Sequence, residues 1–162
     1  MMDPIPPRGV EMLLKIVRAA ESRLVELDPD GGAAKPGGWS RREELGHLID
    51  SAVNNHQRVI RIPLGDTALP GYRQVEWVRM NQYANREWDD LVELWVSLNL
   101  HLWIAADALP PDAWRREASI GDDEPRTLAW IIDDYVQHLV HHLTHIGVTL
   151  NDVDGVSEYR TM

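Results

Sequence analysis

The sequence of 162 residues has no cysteine and no phenylalanine, and its 16 basic residues are outnumbered by 26 acidic ones. Without cysteine there is no disulfide, no thiolate ligand and no cysteine nucleophile; this fits a reducing compartment, and a cytoplasmic protein is expected. Any metal must then rest on histidine, aspartate or glutamate. The formal net charge of -10 repels phosphate backbones, which argues against nucleic acid as a partner. No apolar run approaches membrane-spanning length, so no membrane partner is expected, and MMDPIPPRGV lacks the basic and apolar regions of a secretory signal. Also missing are strand-like alternation, internal repeats, a glycine-rich phosphate loop, a GxSxG elbow and an HExxH sequence. These gaps narrow the chemistry toward a site assembled from separate helices. With phenylalanine absent, seven tryptophans take the bulky aromatic places, in the core or around a pocket.

What the chain does have is helical periodicity. Residues 8–27 place Val10, Leu13, Leu14, Ile16, Val17, Ala20, Leu24 and Leu27 on one face, behind Pro6 and Pro7. Residues 28–38, DPDGGAAKPGG, have nothing apolar to anchor them and are expected to be mobile. Ser40 and Glu43 have the spacing of a capping box, opening a second helix over 41–60 with the stripe Leu45, Leu48, Ile49, Ala52, Val53, Val59 and Ile60. Opposite that stripe runs the polar row His47, Asp50, Ser51, Asn54 and Arg58, which is either a solvated face or the border of a cleft. His56 projects with the apolar residues, as a core histidine would.

Residues 62–86 form a mixed connection with a short helix at 73–83 bearing Val75, Trp77, Val78 and Met80. It is longer than two adjacent antiparallel helices need, which predicts a crossover or a lid. A third long helix covers 87–109 with Leu91, Leu94, Trp95, Leu98, Leu102, Trp103 and Ala106, and Pro110 and Pro111 stop it. A second connection, with a turn at 121–125, leads to the last helix, which runs to about 149; the tail NDVDGVSEYRTM is expected to pack loosely. One domain over residues 1–162 follows from the length, and an all-α four-helix bundle from the periodicity.

The last helix contains YVQHLVHHLTHI, with His138, His141, His142 and His145 inside eight residues. Its apolar side is Leu128, Ile131, Ile132, Tyr135, Leu139, Leu143 and Ile146. His138 lies above Ile131, and His142 lies one row from Tyr135 and Leu128. At four-residue spacing these two rings can share one metal ion, which makes half of a site. His141 falls beside Asp134 and Gln137 and is expected in solvent, and His145 at the edge of a pocket. Periodicity alone does not choose between His47 and His56 as a third ligand.

Three stretches, WSRREELGHLIDS, EWDDLVELWVSLN and TLAWIIDDYVQHLVHHLTHI, together resemble the DinB and YfiT-like superfamily of small metal-binding four-helix proteins, in order and over nearly the whole chain. The resemblance implies a bundle with long crossover connections, often a homodimer. It also implies a divalent metal held by one histidine of the second helix and two of the last, which here are His47, His138 and His142. Asp50, Asn54 and His145 are then the candidates for orienting a ligand ring, holding water, moving a proton or touching substrate. Three imidazoles leave a coordination position open, and zinc or nickel is the expected ion, with iron or manganese as alternatives. The implied activity is hydrolysis of a small-molecule substrate by activated water. An alternative is S-transfer with a low-molecular-weight thiol, which must come as a cosubstrate because the chain has no cysteine. A third reading is a non-catalytic stress-response or binding module.

Overall fold

The three- and four-residue apolar spacing winds most of the chain into five helices: α1 (Arg8–Glu26), α2 (Arg41–Arg61), α3 (Gln74–Met80), α4 (Trp88–Asp107) and α5 (Leu128–Ile146). The computed structural model describes residues 6–32 and 38–160. Of the loop 28–38 that is expected to be mobile, residues 33–37 lie outside the described residues.

Local chemistry sets the helix ends. Pro7 precedes α1, and at α2 the capping box forms: Ser40 Oγ accepts from the Glu43 amide while Glu43 Oε2 accepts from the Ser40 amide. Thr127 Oγ1 accepts from the Trp130 amide at the start of α5. This helix stops at Ile146, short of the expected 149, because Gly147 turns left-handed at φ 103° and its amide closes back on Leu143 and Thr144.

In the bundle, α1 and α2 each pack against both α4 and α5, so consecutive long helices α1 and α2 face one another diagonally, as do α4 and α5. Specific contacts fix their directions. Trp88 Nε1 donates to the Leu24 carbonyl, so α4 begins where α1 ends. Arg42 donates to the Arg86 carbonyl near the start of α4 and His56 stacks on His101 further along, so α2 and α4 run parallel. Gly9 contacts Asp133 and Arg23 contacts Thr149, so α1 and α5 also run parallel. Parallel neighbours α2 and α4 need a connection that returns the full length of the bundle, about 30 Å for 20 residues. Residues 62–87 make that crossover, with α3 packed on α2.

The centre is closed by Trp88, Trp95 and Trp114, all buried, and by a polar link across the diagonal. The Tyr135 hydroxyl donates to Asn99 Oδ1 at 2.5 Å, and Asn99 Nδ2 donates to the Trp95 carbonyl at 2.8 Å.

Four expectations are corrected. A small sheet exists: β1 (Ala68–Leu69) pairs in parallel with β2 (Glu117–Ile120), which pairs antiparallel with β3 (Arg126–Thr127). Strands of two to four residues are too short to show alternation. The tail is not loose: Val148, Leu150 and Val156 are buried, Tyr159 donates to Asp133, and Arg8 pairs with Glu158. Ile60, read as part of the core stripe, is exposed at the end of α2. His56 is half-buried against His101 rather than in the core.

Candidate metal centre

The polar row of α2 faces the protein interior. His47 is 1% exposed, Asp50 3% and Ser51 5%, because α5 covers one side of the row and the crossover covers the other. Gly46 makes this possible. A Cβ there would lie 2.1 Å from ring carbons of Tyr83, so only glycine lets the Tyr83 ring rest on the helix. The Tyr83 hydroxyl then donates to Asp50 Oδ1 at 2.7 Å, joined by Asn81 Nδ2 at 3.1 Å.

Antiparallel α2 and α5 bring three imidazoles together. His47 Nε2 and His138 Nε2 are 2.9 Å apart, and ring nitrogens of His47, His138 and His142 all lie within 4.8 Å of one another. The rings meet edge to face, with centroids 4.4–4.8 Å apart. Trp39 leans on His47 at 4.9 Å and walls off one side.

Burial sets the protonation state. It pulls the His47 pKa down to about 4, helped by neighbouring His142 and opposed by Glu44. It pulls His138 down to about 3, helped by His142 and His47. Both rings are therefore neutral at neutral pH, the form that ligates a metal. Behind them, His138 Nδ1 lies 3.4 Å from Ser51 Oγ, and His142 Nδ1 lies 2.6 Å from Glu44 Oε2. A ring whose Nδ1 is engaged in this way presents Nε2 to an ion. His47 Nδ1 is buried with no hydrogen-bond partner among the described residues.

Asp50 sits on the same face, one turn beyond His47. Its Oδ2 has no hydrogen-bond partner among the described residues, and burial pushes its pKa up to about 6 against the lowering effect of Tyr83. Asn54 donates back to the Asp50 carbonyl at 2.8 Å, so its side-chain nitrogen is occupied within the helix. His145 is 39% exposed at the side chain, with Nδ1 3.7 Å from Glu44 Oε1, and the ring of exposed His141 lies tilted against it at 4.2 Å. His56 is paired with His101 and does not join the trio.

Glu44 is the residue that sequence reasoning missed. It lies three residues before His47, on the same face of α2, and that spacing was its available signal. His138 also lines a groove of about 860 Å³ between α5 and the tail, bordered by Gln137, His141, Thr144, Thr149 and Asn151. Among the described residues no helix is long and apolar enough to cross a membrane.

Known proteins share this architecture. YfiT from Bacillus subtilis, described as a probable metal-dependent hydrolase with an unusual four-helix bundle topology, superposes with a TM-score of 0.77 at 23% identity, over 86% of this chain and 82% of its own. The mycothiol-dependent maleylpyruvate isomerase superposes with a TM-score of 0.76 at 15% identity, over 94% of this chain and 67% of its own. At these identities the likeness is one of fold. No curated protein matches the chain. The family model of the DinB superfamily, by contrast, matches residues 12–146. With most of its length matched, this chain belongs to the DinB superfamily.

Proposed function

We propose that the protein binds one divalent metal ion through His47, His138 and His142 and uses it to hydrolyse a small-molecule substrate. The observation that carries this reading is the convergence of three imidazole nitrogens from α2 and α5 within 4.8 Å. The donor set fits an ion. Two rings are neutral, the Nδ1 atoms of His138 and His142 are engaged from behind by Ser51 and Glu44, and His138 borders a groove large enough for a small molecule. Three nitrogens suit zinc or nickel best, and iron or manganese less well. A divalent ion bound there supplies a Lewis acid that makes water nucleophilic at neutral pH.

The chain's own residues do the rest. Trp39 excludes solvent beside His47. Asp50 is positioned by Tyr83 and Asn81 to accept a proton at Oδ2, which no other group among the described residues engages. Asn54 retains its Oδ1 for a substrate donor, and His145, at the exposed edge, contacts substrate or exchanges protons with solvent.

A second reading, S-transfer with a low-molecular-weight thiol, is favoured by the fold shared with the mycothiol-dependent isomerase. Because the chain has no cysteine, the thiol comes from a cosubstrate. Elemental analysis of untagged protein tests both readings, followed by turnover on ester, amide and thiol-adduct panels. One metal equivalent, lost together with turnover in His142→Ala, is the expected result. Turnover only with added thiol selects the second reading. Metal-free, fully folded protein without turnover on any panel overturns both and leaves a binding module.

A further inference from the structure

Glu44 is 6% exposed, and its ion-pair partners among the described residues are two imidazoles, with no lysine or arginine. A buried carboxylate needs a compensating positive charge close by. Its two oxygens point at separate rings: Oε2 is 2.6 Å from His142 Nδ1, and Oε1 is 3.7 Å from His145 Nδ1. The three donor atoms lie within 4.8 Å of one another, as those of the inner trio do. His145 is 39% exposed at its side chain, so this group opens to solvent where the buried His47 does not.

We infer that Glu44, His142 and His145 form a second, outer cation site. It takes a divalent transition-metal ion such as zinc, using one carboxylate oxygen and two imidazole nitrogens, a donor set that zinc accepts readily. The short Glu44–His142 contact is the proton-bridged form of the same arrangement, with a hydrogen where the ion would sit. His142 belongs to both groups, and this sharing has a consequence. A neutral imidazole has one lone pair, so a ring that gives Nε2 to an inner ion keeps its proton on Nδ1, facing Glu44. The two positions therefore compete for His142, and the solvent-facing one fills and empties more easily. The outer site stands on Glu44 and His145 whether or not the inner trio holds a metal.

Zinc titration of chelator-stripped, untagged protein against a chromophoric chelator separates the two sites. His47→Ala removes only an inner donor, and His145→Ala only an outer one. His47→Ala is expected to retain one zinc, and adding His145→Ala or Glu44→Gln in that background weakens it about ten-fold or more. His138→Ala replaces His47→Ala if the latter does not fold by circular dichroism. The outer site is overturned if the inner-site variant binds no zinc, or if the second substitution leaves its affinity within about two-fold. Should His47→Ala bind zinc with the affinity of wild type, within about two-fold, the inner metal reading fails while the outer one is supported.

Discussion

Asp50 shows how much a single buried charge can depend on pH. Tyr83 and Asn81 both donate to Oδ1, Oδ2 has no partner among the described residues, and burial lifts the pKa from 3.8 to about 6. The fold thus favours the protonated carboxyl, whose stabilising contribution is complete below pH 3.8 and is lost as pH rises through about 6. Asparagine keeps an acceptor for Tyr83 and cannot ionise. In metal-free protein, Asp50→Asn should therefore gain about 1–3 kcal/mol on wild type between about pH 5 and about pH 8. Urea midpoints at the two pH values measure this, and a constant difference would show that Asp50 carries no buried charge. At this scale the sequence was legible where chemistry and helical period agree. His138 and His142 stand four apart on the inward side of α5, and the structure brings them together. His47 could be separated from His56 only by family resemblance, because a helical wheel shows which face a residue occupies and not what covers that face. Glu44 went unread for the same reason: its place in the first turn of α2 does not show that α5 buries it.

Among the elements, α2 is the most constrained because it is covered on two sides. Gly46 lies in its interior, where alanine would normally favour the helix by about 1 kcal/mol. Here the added Cβ would lie 2.1 Å from two Tyr83 ring carbons, and displacing that ring also disturbs its bond to Asp50. Gly46→Ala should therefore lose about 1–3 kcal/mol net of the propensity gain, as overpacked interiors do. A lower denaturant midpoint with unchanged slope is the expected readout, and a more stable variant would mean that Tyr83 can withdraw freely. The long helices were visible in the sequence because periodicity repeats over five turns. The strands were not, since two to four residues carry too little pattern. The tail misled for another reason: Val148, Leu150, Val153 and Val156 pack singly along other elements, without a period to announce them. On α3, Val75, Trp77 and Met80 are exposed, because the crossover lies on the outside of α2.

For the whole molecule, periodicity gave the number of helices but not who neighbours whom; the length of 62–87 was the one clue to parallel neighbours α2 and α4. That topology puts α5 antiparallel to α2 and sets two neutral imidazoles, His47 and His138, into the seam between them. The seam must then respond to acid as one unit. Both histidines titrate near 6.5 when unfolded, and in the fold their pKa values fall to about 4 and about 3. Between those limits the unfolded chain binds more protons than the native one, so their contribution is complete above pH 6.5 and is lost as pH drops. Asp50 works in the opposite direction, but it is one group against two. Chelator-stripped protein should therefore show a urea midpoint that falls steadily from about pH 7 to about pH 4.5, and a His47→Ala/His138→Ala double variant should show a flatter profile. Saturating zinc should raise the midpoint at pH 7 and lose that effect on acidification, because each proton gained by a ligand ring displaces the ion. A midpoint that stays level or rises with acid in the metal-free protein would mean that the rings accept protons inside the fold, and the neutral pair across the α2–α5 seam would have to be abandoned.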